Sequence, residues 1–219
     1  MARKSVGIHI QCRLGSTRLP GKVLFPLGDR RLLEWVVYRC QKSSEADSVR
    51  LTVGDRPEND AILEWARRNE VEYDVGPEDN LLERHHRIAA RHDTDVVVRV
   101  TGDCPLVPSS EIDRVIKEHR KNDALYSANA GESMPRGFAV DVIDIEMLSK
   151  LKELGEEHPV ARLRRNPKEW PVFFTPNEKF SQFSELDVSV DTPDDYWRMI
   201  DSMKSVGGDP TRICECLLD

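Results

Sequence analysis

The sequence predicts an α/β fold, a mostly parallel central sheet with helices on both faces. Three observations carry that expectation. Strand-like and helix-like stretches alternate from Ser5 to Lys121, as successive βαβ units do. Residues 95–100 form a near-continuous apolar run, as expected of a strand buried on both faces. A loop dense in glycine, hydroxyl and cationic residues follows the first strand, where nucleotide sites form in such sheets.

The first strand is short, with Val6, Ile8 and Ile10 in alternation, and it breaks at Cys12–Arg13. Residues 31–43 have helical spacing, with Leu32, Leu33, Val36, Val37 and Cys40 on one face. A second strand over 49–53 ends in the turn Gly54-Asp-Arg-Pro57. Helix 59–69 presents Ile62, Leu63 and Ala66, and a short strand covers 71–75. After Gly76-Pro-Glu-Asp79 come a helix over 80–92 and the apolar strand. The second half is less regular. Strands are expected over 124–127, 138–145 and 186–190, helices over 146–154 and 159–165, and an extended stretch over 172–175. Two further helices start at Pro193 and Thr211, the first with Thr192 as N-cap, Pro193 at N1 and Asp195 completing a capping box. One domain over 1–219 is expected, with residues 129–179 as an inserted acceptor-side lid or dimerisation segment.

At 219 residues and 25.1 kDa the chain is long enough for a well-buried core. Its net charge of −7 argues against a broad nucleic-acid footprint. No window approaches the roughly 20 apolar residues of a membrane span, and no signal-peptide core follows the N-terminus. A cytoplasmic location is therefore the default expectation. Five scattered cysteines fit reduced thiols better than a disulfide framework, and Cys214 and Cys216 have no partners at metal-ligand spacing.

Against this acidic background the first loop stands out. Its glycines let backbone N–H groups turn toward an anion, and Arg13, Arg18 and Lys22 add fixed positive charge. A polyphosphate suits such a loop better than water does, although a basic surface turn has the same composition. The loop is neither common phosphate motif. Gly15 and Gly21 enclose five residues rather than four, Val23 follows Lys22 where a hydroxyl is needed, and Pro20 and Pro26 prevent a helix from starting at once. Lys22 and Arg13 are the first choices for phosphate, while Arg18 could pair with an acidic neighbour.

Gly102-Asp103-Cys104-Pro105 follows the buried strand, so Asp103 and the first loop converge on one sheet edge. There Asp103 can hold a Mg²⁺ that bridges nucleotide phosphates, or it can close an Asx-turn on its own backbone. Spacing alone leaves Asp191, just outside the helix cap, undecided.

The run from Gln11 to Gly28, with Val98-Arg-Val-Thr-Gly-Asp-Cys-Pro-Leu106 and Val190-Asp-Thr-Pro-Asp-Asp195, resembles the cytidylyltransferases. These include the spore-coat polysaccharide type and the CMP-synthetases of acylneuraminate and deoxy-octulosonate. The resemblance implies a nucleotide-diphospho-sugar transferase-like, Rossmann-like fold, with CTP as donor, a small acidic acceptor and Mg²⁺ as cofactor. It implies that Asp191 joins Asp103 as a metal ligand. It also puts Gln11, Arg13, Leu14, Gly15, Ser16, Lys22 and Asp103 on the nucleotide, and more loosely Asn80 and Arg84. Pro135-Arg136-Gly137-Phe-Ala-Val-Asp141 resembles the acceptor-side loop, but Ala139 stands where an acidic residue is common. Arg136 and Asp141 are then the acceptor candidates. Glu157-His158-Pro159-Val160 departs from the usual run, which leaves His158 a weaker third.

The expected reaction is transfer of CMP to an acidic sugar, with Arg13, Lys22 and Asp103 as the catalytic set and pyrophosphate as the leaving group, in polysaccharide or glycan synthesis. Transfer to a sugar phosphate or phosphonate is the alternative, and an inactive nucleotide-binding regulator a third. A homodimer paired through the irregular middle is compatible with any of them.

Overall fold

The computed structural model describes residues 3–129 and 133–218. In chain order the elements are β1 (Val6–Cys12), β2 (Pro26–Leu27), β3 (Arg30–Arg31), α1 (Leu32–Cys40), β4 (Ser48–Gly54), α2 (Asp60–Arg68), β5 (Tyr73–Gly76), α3 (Leu81–Arg91), β6 (Val96–Thr101) and α4 (Ser109–Lys121). They continue as β7 (Tyr126–Ala128), β8 (Asp141–Asp144), α5 (Ile145–Glu153), α6 (Ala161–Arg165), β9 (Val172–Phe174), α7 (Pro193–Val206) and α8 (Pro210–Leu218). Seven strands form one sheet in the order β5-β4-β1-β6-β8-β7-β9, and β2 pairs with β3 separately. Only β8 runs against the rest, antiparallel to both β6 and β7.

Strand alternation divides the sheet into two unlike faces. Ile8, Ile10, Cys12, Leu51, Val53, Val98, Val100 and Val142 point one way and pack with Leu33, Val36, Ile62, Ile112 and Val115 of the covering helices. The opposite side of β1, β4 and β6 carries His9, Gln11, Arg50, Thr52, Arg99 and Thr101 beside Val97. Helices α3 and α5 pack together, and their Leu82, Ala89, Met147 and Leu148 form an apolar cluster with Val97, Tyr126 and Ile143 of the sheet. A third cluster, with Phe138, Phe180, Phe183, Met199 and Ile213, seats α7 and α8.

The mostly parallel sheet agrees with the sequence expectation, and most differences lie in the second half. Of the expected insert over 129–179, residues 130–132 fall outside the described set, and the remainder supplies β8 and β9 to the sheet itself. The expected strand over 186–190 reduces to one bridge, Arg136 to Asp187. Its backbone is diverted: Val190 N bonds Asp103 O at 3.0 Å, and Asp187 Oδ1 accepts from Ser189 N at 2.9 Å. The strand expected at 71–75 begins only at Tyr73, because Val71 N is still bonded to Ala66 O at the end of α2. No helix among the described residues is long and apolar enough to cross a membrane. The five cysteines are unpaired.

Candidate functional site

The loop after β1 is folded by its own polar groups. Leu14 O accepts from Ser16 N at 2.7 Å and Gly21 N at 3.0 Å, and Leu14 N donates to Asn59 Oδ1 at 2.8 Å. Gly21 sits at φ +77°, a left-handed conformation that favours glycine, and from it the chain enters a 3-10 turn headed by Lys22. The N–H groups of Gly15, Thr17 and Arg18 have no hydrogen-bond acceptor among the described residues. They are open donors for an anion.

Lys22 is 6% exposed and points inward. Its Nζ donates to Asp103 Oδ2 at 2.8 Å and to Asp191 Oδ1 at 2.7 Å. Two local features bring those carboxylates together. Gly102 lies so close to β1 that a Cβ there would stand 2.9 Å from Cys12 Cβ, which turns Asp103 over the sheet edge. The bond from Val190 N to Asp103 O then carries Asp191 alongside, while the expected capping box of Thr192 and Asp195 starts α7. Arg18 and Arg136 reach the other oxygen of Asp191 at 3.0 and 3.1 Å. Burial alone would push the Asp191 carboxyl up, but the Lys22 hydrogen bond and the charges of Lys22, Arg18 and Arg136 outweigh it. The carboxyl stays below its usual range. Burial lowers the Lys22 ammonium by itself, yet Asp103 and Asp191 together raise it, so it is fully charged.

The opposite wall is Glu78, 5% exposed, with Oε2 accepting from Asn59 Nδ2 at 2.9 Å and Oε1 facing Arg13 Nη1 at 3.3 Å. Arg84, 1% exposed, braces that wall through Pro77 O and Glu78 O, both at 2.8 Å. Between the walls lies a cavity of about 370 Å³, lined among others by Gln11, Arg13, Gly15, Ser16, Arg18, Lys22, Arg84, Thr101, Asp103 and Asp191.

Most residues expected on the nucleotide meet there, and two do not. Asn80 caps α3, with Oδ1 accepting from Glu83 N at 2.7 Å. Leu14 packs against the apolar core, and its N–H and C=O are already used in folding the loop. The acceptor candidates separate as well. Arg136 lies on the carboxylates, with Asp187 at 3.3 Å and Asp191 at 3.1 Å. Asp141 is 1% exposed, bonded to Arg99, Arg164 and Tyr126, and so closed to an acceptor. His158 stands beside that group rather than in the cavity, and burial with the charge of Arg99 lowers its ring to about 4. Sequence reading did not single out Glu78 and Asn59, although Gly54-Asp-Arg-Pro57 signals a turn and Gly76-Pro-Glu-Asp79 resembles the base-and-ribose wall of the cytidylyltransferases.

As a metal donor set, Asp103 and Asp191 are two carboxylates already held on one cation, and no group of three or more His, Cys, Asp or Glu is clustered among the described residues. That suits a Mg²⁺ whose remaining ligands are phosphate oxygens and water, not one held by protein alone.

Comparison with known proteins gives a concordant picture. The family model described as Cytidylyltransferase matches residues 8–195. The chain is 30% identical to the spore coat polysaccharide biosynthesis protein SpsF of Bacillus subtilis, over 85% of this chain and 81% of that protein. It is 32% identical to the 3-deoxy-manno-octulosonate cytidylyltransferase of Alcanivorax borkumensis, over 58% of this chain and 50% of that one. A solved cytidylyltransferase from Leptospira borgpetersenii superposes with a TM-score of 0.90 at 27% identity, covering 99% of this chain and 94% of that chain.

Proposed function

We propose that this chain, which belongs to the cytidylyltransferase family and is a nucleotidyltransferase, transfers CMP from CTP to a small acidic sugar with release of pyrophosphate. The observation that carries this reading is Lys22 bonded at once to Asp103 and Asp191, in a cavity also lined by the N–H-rich loop. Residues far apart in the chain thus line one space that holds both open anion donors and paired carboxylates.

In the reaction, an acceptor hydroxyl oxygen gives up its proton to water and forms a bond to the α-phosphorus while the bond to the bridging oxygen of pyrophosphate breaks. The chain's work is to position the groups and to balance charge. The N–H groups of Gly15, Thr17 and Arg18 bind phosphate oxygens. Arg13, oriented by Glu78, and Lys22 take up the negative charge that grows on the leaving pyrophosphate. Arg18 and Arg136 leave Asp191 only partly committed to Lys22, so the ammonium can turn to the phosphates. Asp103 and Asp191 would hold Mg²⁺, which when bound supplies further charge neutralisation on the triphosphate. A role in surface polysaccharide synthesis is supported by the likeness to the spore coat polysaccharide biosynthesis protein of Bacillus subtilis.

The test is pyrophosphate release from each of the four ribonucleoside triphosphates with a panel of sugar acids and sugar 1-phosphates. The expected result is release with CTP and an acid only. Equal release from all four triphosphates, or tight CTP binding without turnover on any acceptor, would refute the assignment.

A further inference from the structure

The nucleotide cavity leaves part of the polar sheet face unexplained. Thr101 lines the cavity, and Arg99 lies two residues earlier on the same face of β6, about 7 Å along the strand. In register it faces His9 of β1 and Asp141 of β8. Arg99 Nε donates to Gln11 Oε1 at 2.8 Å, and Nη1 donates to Asp141 Oδ2 at 2.9 Å. Its Nη2 has no hydrogen-bond partner among the described residues, and the side chain keeps 11% of its surface open. Gln11 itself lines the cavity, so this guanidinium is tied to the nucleotide site through one side chain.

The charges around Arg99 do not balance. The other oxygen of Asp141 accepts from Tyr126 Oη at 2.7 Å and from Arg164 Nη2 at 2.6 Å. Two guanidinium groups therefore share one buried carboxylate. Burial would raise that carboxyl, but Arg164 and Arg99 outweigh the effect and hold it ionised. His158, the neighbouring titratable ring, is lowered to about 4 by burial and by Arg99, so it is neutral at physiological pH. One positive charge is left over, shared between Arg99, 11% open, and Arg164, 35% open, so water screens it less on the Arg99 side. A guanidinium clamped along two edges with a third edge open is preorganised for a planar anion.

We propose that Arg99 receives the carboxylate of the acceptor, with Gln11 and Asp141 holding its fork in position. The inference rests on the reading that the chain transfers CMP to an acidic acceptor. A monoanion matches the single surplus charge, and the Gln11 link puts the bound acid beside the triphosphate. Arg99 is then the group that distinguishes an acid from a neutral sugar, while Arg13, Arg18 and Lys22 serve the donor. Asp141 is a positioning residue, which explains why it is buried instead of lining the cavity.

The test is calorimetric titration of 3-deoxy-manno-octulosonate, N-acetylneuraminate and glucose 1-phosphate into protein saturated with the α,β-methylene analogue of CTP, for wild type, Arg99→Gln, Arg99→Lys and Asp141→Asn. At least one sugar acid should bind wild type, and Arg99→Gln should weaken it about 10- to 100-fold. Arg99→Lys should recover part of that loss, and Asp141→Asn should weaken the acid while leaving affinity for the CTP analogue within twofold. The proposal is overturned if neither acid binds wild type, if Arg99→Gln binds the acid as tightly, or if acid and CTP analogue weaken in parallel. Pyrophosphate release with the same acids reads the transfer reaction separately. A protein that binds an acid through Arg99 yet releases no pyrophosphate would fail as a transferase and keep the site.

Discussion

Acid should destabilise this protein well above the pH at which its carboxylates titrate, because of two histidines sealed under α3. His9 and His85 are both fully buried, their Nδ1 atoms 3.2 Å apart. Neither Nε2 has a partner among the described residues, so an added proton would find no acceptor. Burial, with the Arg50 charge, lowers His9 to about 3, and burial with the neighbouring His9, Arg99 and Arg84 lowers His85 well below its ordinary value. The sign follows from which state takes up protons. In the unfolded chain both rings protonate below about pH 6.5, while in the folded chain they stay neutral. The unfolded state therefore binds more protons between pH 6.5 and 4, and stability falls as pH falls through that window. Each ring contributes a slope of about 1.4 kcal/mol per pH unit, so the pair removes about 5 kcal/mol between pH 6.5 and 4.5. That is a large share of the roughly 5–15 kcal/mol that holds a typical domain together. Half-buried His158, lowered to about 4, and His86, also lowered by burial, add in the same direction. Urea unfolding at constant salt across this range should show the slope, and the double variant His9→Leu/His85→Leu should flatten it by about 2.7 kcal/mol per pH unit. A double variant with the wild-type slope, or ring resonances of His9 or His85 titrating near pH 6.5 in the folded protein, would refute the reasoning.

Asp103→Ala should slow pyrophosphate release about a hundredfold or more and leave the far-UV spectrum unchanged, since the side chain is partly exposed at a loop; a near-wild-type rate would remove Asp103 from the reaction. Gly54→Ala puts a Cβ 1.5 Å from Glu78 Oε2 and 2.6 Å from its Cδ, so the carboxylate must leave Asn59 and Arg13. Losing those hydrogen bonds should cost about 1–3 kcal/mol and lower the thermal midpoint by about 2–12 °C, with weaker CTP binding; an unchanged midpoint would mean that the wall yields without loss.

The boundaries of legibility follow particular residues. The capping box of Thr192 and Asp195 is a rule about neighbours three apart, and it was readable before any coordinates. The same holds for the alternation in β1 and β6, for Gly21 at a turn and for Asp103 at the end of a buried strand. Asn80 is instructive because its type suits both a ligand contact and a helix cap, and only the position of Glu83 N decides for the cap. Arg136 and Asp141 share the segment that resembles an acceptor-side loop. Between them the chain passes from a bridge with Asp187 into β8, which turns one toward Asp191 and buries the other under Arg99.

By itself, then, the sequence determined the layered α/β class, the anion-seeking loop and the types of residue at the sheet edge, because these depend on periods of two or 3.6 residues and on local backbone chemistry. Tertiary structure decided which charges meet: Lys22 with partners 81 and 169 residues away, the two histidines under α3, and the surplus guanidinium beside Gln11. Those meetings depend on strand order and register, and the last of them on β8 entering between β6 and β7. A one-residue slip in that register would turn Asp141 to the other face, and no local pattern in the chain encodes it.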